Sequence, residues 1–162
     1  MIDATDILAA RILVVDDDPD AASTLAQVLT LHGYSGVATT TDPRAVHGLH
    51  RANDYDLILL DLQMPNMDGF AVMEGLREFE RDGYLPVLAI TGEPGHRMPA
   101  LKLGAKDFLR KPVDPEELLL RVRNMIEVRL LYKELLYREP APAIAGQPAV
   151  AAENVVAFAG RN

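Results

Sequence analysis

The chain of 162 residues is 49% hydrophobic and 25% charged and has no cysteine, so it supports one domain with a proper core and no disulfide framework. Its net charge of −8 disfavours direct DNA binding, because proteins that bind nucleic acid usually present a basic patch. No apolar run approaches the length that spans a bilayer, so we do not expect a membrane protein.

The first ten residues, 1–10, are expected to form a flexible N-terminus. This segment has no basic residue and no long apolar core, so it does not look like a secretory signal. Together with the absence of cysteine, this favours a cytoplasmic location.

Strands and helices alternate from residue 11 onward. The apolar, β-branched run 11–15 predicts a first strand. Asp18 as N-cap and Pro19 at the first helical position predict a helix that ends near Gly33. A short, half-polar second strand follows over 34–40, and Asp42-Pro43 repeats the helix-start signal for a second helix that runs to about residue 52.

A buried third strand is predicted over 56–61, because four consecutive apolar residues run directly into Asp61. A third helix is expected over 70–81 and a fourth strand over 86–91. The next segment, 92–106, contains Pro94 and Pro99, which allow only a short fourth helix that starts near Pro99 and closes at Gly104.

A fifth strand over 107–110 ends at Lys111-Pro112, and Asp114 caps a last helix that is predicted to reach about residue 138. We therefore divide the chain into a domain over 11–129, a helical extension over 130–138 and a disordered Ala/Pro-rich tail over 139–162. Five strand-helix pairs predict a doubly wound, five-stranded parallel sheet of the flavodoxin-like class, with helices on both faces.

Polar side chains follow four of these strands, and the carboxyl ends of parallel strands share one edge, where ligands bind. The residues at these ends are Asp16, Asp17, Asp61, Thr91 and Lys111. Three carboxylates in a partly buried site repel one another unless a cation intervenes, and an all-oxygen site suits Mg²⁺. A carboxylate can also attack phosphorus, with a lysine and a hydroxyl to pair with the phosphoryl oxygens.

Four sequence segments resemble the receiver domain of two-component response regulators: residues 14–17, residues 59–69, Thr91, and residues 104–112. The resemblance covers roughly residues 11–129. It implies that Asp61 accepts a phosphoryl group from a phosphohistidine on a sensor histidine kinase or phosphotransfer protein. It further implies that Mg²⁺ binds Asp17 and Asp61 directly, Asp16 largely through water, and the backbone carbonyl of Gln63.

The same resemblance implies a switch and an output surface. Thr91 would move toward the phosphoryl group and Phe108 would rotate inward, which reshapes the face made by helix four, strand five and helix five. Gln63 and Glu93 occupy positions that tune the lifetime of the aspartyl phosphate. The resemblance therefore implies that the chain is an interaction module controlled by phosphorylation and not a turnover enzyme. Two prolines and an interval from Thr91 to Lys111 that is about two residues short depart from the usual pattern, so the partner surface is less well defined by the sequence than the chemistry.

Two other functions account for part of the sequence pattern. Asp16-Asp17-Asp18 also satisfies the Asp-x-Asp motif of haloacid-dehalogenase-like, Mg-dependent phosphatases. Those enzymes need an acidic pair at the end of a strand after the lysine, and Asp114 instead caps a helix. A pseudo-receiver that binds partners without phosphorylation is disfavoured, because every expected site residue is present.

The last helix is apolar nearly all round in its final turns, which is costly if it is left exposed. It is similar to connector helices in receivers that precede an output module, although no output domain of ordinary size is expected between residues 138 and 162. We expect this helix to form a homodimer or to dock on a partner.

Overall fold

One sheet of five parallel strands organises the molecule, with the strand order β2-β1-β3-β4-β5. The computed structural model describes residues 1–64, 68–82 and 84–137. The strands are β1 (Arg11–Val15), β2 (Gly36–Thr40), β3 (Leu57–Asp61), β4 (Val87–Thr91) and β5 (Asp107–Arg110). The predicted fold class, a doubly wound parallel sheet, is confirmed. Since the strand order reverses between β1 and β3, a crevice is expected at their carboxyl ends.

Helices lie against both faces of the sheet in the described part of the chain. They are α1 (Ala4–Leu8), α2 (Pro19–Leu31), α3 (Val46–Asn53), α4 (Gly69–Asp82), α5 (Arg97–Lys102) and α6 (Pro115–Leu136). Short 3-10 turns, Pro43–Ala45 and Pro94–His96, lead into α3 and α5. Because α1 precedes the first predicted helix, the predicted helices four and five are α5 and α6 of the structure. The predicted output face therefore consists of α5, β5 and α6.

The alternation of side chains along each strand divides the core into two clusters. The first cluster joins the sheet to α1, α2 and α6 and includes Ile12, Val14, Leu57, Leu59, Leu88, Ile90 and Leu109. The second joins the opposite face to α3, α4 and α5 and includes Leu13, Val15, Ile58, Leu60, Val87 and Ala89. Because β1, β3 and β4 are covered on both faces, they are continuous apolar runs in the sequence.

The N-terminal segment differs from the flexible segment 1–10 that the sequence predicts. It forms α1, which begins with a capping box: Asp6 N–H donates to Asp3 Oδ1 at 3.0 Å and Asp3 N–H donates to Asp6 Oδ2 at 2.9 Å. The side chain of Ile7 is buried in the first core cluster. A helix this short is marginal alone, so its burial against the domain stabilises it.

The start of α5 also differs from the prediction, which placed it near Pro99. The helix begins at Arg97, directly after the 3-10 turn, and Pro99 lies in its first turn. Backbone N–H groups of a first turn have no intrahelical partner, so proline costs little there. Gly104, with φ of 107°, closes the segment as predicted.

A partly buried network of ion pairs holds α6 against the amino-terminal edge of the sheet. Lys133 Nζ donates to Asp56 Oδ1 at 2.7 Å and to Asp54 Oδ2 at 3.1 Å. Arg129 is buried with Asp56, donates to Asp54 Oδ1 at 3.3 Å and donates to the backbone carbonyl of Tyr84. Asp56 Oδ2 also accepts the N–H of Arg11 at 2.9 Å, so the network connects α6 to β1 and β3.

The last helix reaches Leu136 in the structure, while residue 138 and the tail 139–162 lie outside the described residues. Leu131 and Leu135 are 50% and 68% exposed, and Val128 and Leu120 are exposed on the same side of the helix. None of the helices in the described ranges is both long enough and apolar enough to cross a bilayer.

Candidate functional site

The pleat of the sheet directs three of the predicted site residues to one face. Each lies two residues after a strand residue of the first core cluster, since Val14, Leu59 and Leu109 precede Asp16, Asp61 and Lys111. Side chains two residues apart on a strand point the same way. The carboxyl ends of β1, β3 and β5 therefore bring Asp16, Asp61 and Lys111 together beside α2 and α6.

An acidic cluster forms at this edge. Oxygen atoms of Asp16, Asp17 and Asp61 all lie within 4.8 Å of one another. Asp16 and Asp61 are buried and Asp17 is half-buried, so their mutual repulsion is only partly screened by water. Three carboxylates with one side open to solvent fit a hard divalent cation that prefers oxygen ligands and retains water. The acidic pocket is therefore compatible with a metal ion.

Burial has a large effect on Asp16. The pKa of its carboxyl is raised to about 6, mainly because burial removes water from it and to a smaller extent because the charge of Asp61 lies nearby. The N–H of Asp18, which donates to Asp16 Oδ1 at 3.0 Å, and the ammonium of Lys111 act in the opposite direction. A cation in the pocket would favour the ionised form of this carboxyl.

Asp61 is held from two sides at the same oxygen. Lys111 Nζ donates to Asp61 Oδ1 at 3.0 Å, and the backbone N–H of Gln63 donates to that oxygen at 3.0 Å. Lys111 is itself placed by its own N–H, which donates to the carbonyl of Thr91 at 3.0 Å, and the peptide bond between Lys111 and Pro112 is cis. The arrangement fixes a carboxylate beside an ammonium, a geometry that suits binding of an anionic group next to a nucleophilic oxygen.

Gly69, the first residue of α4, lies in close contact with the backbone at the end of β3. A Cβ atom at this position would lie 2.7 Å from the carbonyl oxygen of Asp61 and 2.7 Å from Cα of Leu62, both backbone atoms that have little room to move. The side chain of Asp68 accepts the N–H of Ala71 at 2.8 Å and so caps the start of α4. Asp68 therefore caps α4, and the absence of a side chain at Gly69 allows that helix to begin in contact with the end of β3.

Thr91 and Phe108 lie on the opposite face of the sheet, over the second core cluster. Ala89 pairs with Phe108 across β4 and β5, and Thr91 is two residues farther along the same face. Thr91 is 0% exposed, and Phe108 is half-buried against the second cluster. The two residues are thus diagonal neighbours on one face, as a concerted movement of both would require.

The loops after β3 and β4 are connected by side chains. Gln63 Oε1 accepts the N–H of Gly92 at 2.9 Å, and Gln63 Nε2 donates to Glu93 Oε1 at 3.4 Å. A side chain at Gly92 would point between Gln63 Oε1 and Cβ of Lys111, which lie 3.4 and 3.8 Å from the position of its Cβ. The side chains of Gln63 and Glu93 therefore lie next to each other, and Gln63 contacts Asp61 through its backbone N–H.

His96 is the residue that the sequence did not indicate. Its Nδ1 lies 3.0 Å from the hydroxyl oxygen of Thr91, and its ring meets Phe70 edge-on with centroids 5.2 Å apart. The histidines of this chain show no metal-ligand spacing, and the Thr91-to-His96 interval is a generic loop pattern, so only the folded loop reveals the contact.

Comparison with known proteins agrees with this arrangement. The family described as "Response regulator receiver domain" matches residues 12–123 of this chain. The response regulator PleD of Caulobacter vibrioides is 37% identical over 156 residues, which cover 95% of this chain and 34% of PleD. The chain thus spans about a third of the length of that relative. The chemotaxis protein CheY of Treponema pallidum is 31% identical over 121 residues, which cover 72% of this chain and 83% of CheY.

A solved structure shows the same fold. The crystal structure of chemotaxis protein CheY4 of Vibrio cholerae, obtained at low pH, superposes with a TM-score of 0.66 and 29% identity. The superposition covers 72% of this chain and 98% of that protein.

Proposed function

This chain belongs to the response regulator receiver domain family, and on that premise we propose that Asp61 is the phosphoacceptor of a two-component His-to-Asp phosphorelay. The observation that supports this role is the contact of Asp61 Oδ1 with Lys111 Nζ at 3.0 Å, beside the carboxylates of Asp16 and Asp17. The donor is a phosphohistidine on a sensor histidine kinase or phosphotransfer protein. A carboxylate oxygen of Asp61 forms the new P–O bond, the P–N bond breaks, and the imidazole leaves with a proton.

Lys111 and Thr91 are proposed to hold the transferred group. The ammonium of Lys111 pairs with one phosphoryl oxygen, and the hydroxyl of Thr91 donates a hydrogen bond to another. Mg²⁺ would be held by the carboxylates of Asp17 and Asp61, by Asp16 through water, and by the carbonyl of Gln63. When bound, this ion screens the repulsion between the carboxylates and the incoming phosphoryl oxygens.

The face formed by α5, β5 and α6 is proposed to be the output surface. Displacement of Thr91 toward the phosphoryl group leaves space on the second face of the sheet, into which Phe108 rotates. Gln63 and Glu93, whose side chains contact each other, tune the lifetime of the acyl phosphate by controlling the approach of water. A downstream protein then recognises the altered face, in the cytoplasm.

This function is that of an interaction module and not of a turnover enzyme. The haloacid-dehalogenase-like alternative requires an acidic pair at the end of a strand after Lys111, and β5, which ends just before that lysine, is the last strand in the described residues. The pseudo-receiver alternative predicts no covalent phosphate. Incubation with acetyl phosphate and Mg²⁺, followed by intact-mass measurement and peptide mapping, separates these hypotheses: one phosphoryl group on Asp61 supports the proposal, an unmodified protein contradicts it, and a phosphoryl group within residues 16–18 supports the phosphatase alternative.

Mg²⁺ is expected to stabilise the folded protein through the acidic cluster. An ion present at one hundred times its dissociation constant adds about 2.7 kcal/mol to the free energy of unfolding, or several degrees in Tm for a domain of this size. Asp17→Asn should abolish this increase in a thermal melt at constant ionic strength. Asp20→Asn, the same change of charge in the first turn of α2, should retain it. An equal Mg²⁺ effect in Asp17→Asn and the wild type would contradict the ligand assignment.

Homodimerisation through the last helix remains a proposal, and its exposed leucines allow a direct test. Burial of a leucine side chain contributes about 1.5–3 kcal/mol, so replacing Leu131 and Leu135 by glutamine should weaken a dimer at least tenfold. Sedimentation equilibrium measures this change. The double variant leaves the ion pairs of Lys133 intact, and Leu31→Gln, which alters an exposed leucine at the end of α2, is the matched control. A monomeric wild type, or a dimer insensitive to the double variant, would exclude this interface.

A further inference from the structure

We propose that His96 is a positioning residue that holds the hydroxyl of Thr91 in the resting domain and releases it when Asp61 is phosphorylated. The inference rests on the proposed function of Asp61, and it adds a residue that restrains the switch before the phosphoryl group arrives.

The ring of His96 contacts two groups, the buried hydroxyl of Thr91 and the aromatic ring of Phe70. The hydroxyl oxygen of Thr91, which has no exposed surface, lies 3.0 Å from His96 Nδ1. The histidine ring stands perpendicular to the ring of Phe70, with an interplanar angle of 90°. Phe70 lies in the first turn of α4 and packs on the second core cluster. The imidazole is therefore held between the half-buried ring of Phe70 and the hydroxyl it contacts.

The hydrogen bonds of Thr91 explain why this contact restrains it. The N–H of Glu93 donates to the hydroxyl oxygen at 3.0 Å, so one lone pair of that oxygen is occupied. If His96 Nδ1 is unprotonated, the single hydroxyl proton is donated to it and cannot be donated to a phosphoryl oxygen. If Nδ1 carries a proton, it donates to the remaining lone pair and fixes the oxygen in place. In both tautomers Thr91 must leave His96 before it moves toward the phosphoryl group.

The position of His96 couples this release to the output face. His96 ends the 3-10 turn Pro94–His96, and the next residue, Arg97, begins α5. Loss of the hydrogen bond frees the start of α5 from the end of β4. Phosphorylation at Asp61 would thus act through the side chain of His96 to loosen the α5 edge of the output face, the face that Phe108 also rearranges.

Binding of beryllofluoride, a phosphoryl mimic for carboxylates, with Mg²⁺ present measures the strength of this restraint. If the resting domain loses one hydrogen bond on activation, the affinity for beryllofluoride is reduced by roughly three- to tenfold. His96→Phe keeps the edge-on ring contact and removes the nitrogen, so it should bind beryllofluoride three- to tenfold more tightly than the wild type. His96→Asn, which retains a polar atom near the position of Nδ1, should bind as the wild type does. His96→Ala should follow His96→Phe.

A double-variant cycle separates this role from a structural one. In a Thr91→Ala background, His96→Phe should produce no further gain in affinity, because the hydroxyl that it releases is absent. Equal affinities for the wild type and His96→Phe, or a gain that persists without the hydroxyl, would overturn the inference. These outcomes are distinct from failure of the proposed function, in which the wild type binds no beryllofluoride or Asp61→Asn binds it equally well.

Discussion

Asp61→Asn is expected to abolish phosphoryl uptake from acetyl phosphate. The amide has the shape of the carboxylate but lacks its nucleophilic oxygen, so no acyl phosphate forms. Wild-type protein with Mg²⁺ should gain one phosphoryl group that is stable in acid and lost in base, as measured by intact-mass and peptide mass spectrometry. The contact with Lys111 Nζ at 3.0 Å places this oxygen where the transferred group would be paired at once.

The control for this prediction is Asp20→Asn, which removes one negative charge from the first turn of α2 without altering the acidic cluster. It should be phosphorylated as the wild type is. A label that survives in Asp61→Asn, or one that maps to Asp16 or Asp17 in the wild type, would show that the phosphoacceptor has been assigned to the wrong strand end.

Asp56→Asn is expected to destabilise the fold by about 3 kcal/mol, because it leaves the buried guanidinium of Arg129 without its buried counter-ion. That is a large share of the 5–15 kcal/mol by which a domain is usually stable. Urea unfolding followed by circular dichroism measures the loss. Phosphoryl uptake by the folded fraction should be unchanged, since Asp56 lies at the amino-terminal edge of β3 and Asp61 at the other end.

Asp54→Asn provides the matched comparison, because it removes the other carboxylate that contacts Arg129 and Lys133. The side chain of Asp54 is 67% exposed, and an exposed pair is typically worth no more than about 1 kcal/mol. Equal losses for the two asparagine variants would contradict a role for burial.

The fold class and the location of the candidate site followed from local patterns. Continuous apolar runs identified strands buried on both faces, and Asp18 and Asp114 marked helix starts as N-caps, as the structure confirms. Parallel strands have their carboxyl ends at one edge. The order of residues therefore predicted that Asp16, Asp61 and Lys111 would meet, and the structure brings them together.

Other features were decided by contacts between segments that no local pattern connects. Residues 1–10 are helical because Ile7 is buried against the domain, and α5 begins before Pro99 because the preceding turn continues into it. Arg129 and Asp56 are 73 positions apart in sequence, and their pairing exists only once α6 packs on the sheet. His96 and Thr91 are only five positions apart in sequence, yet their contact depends on the folded loop and on Phe70 from α4. Short-range patterns report the state of one segment, whereas a side chain's partner depends on which segments the sheet brings together.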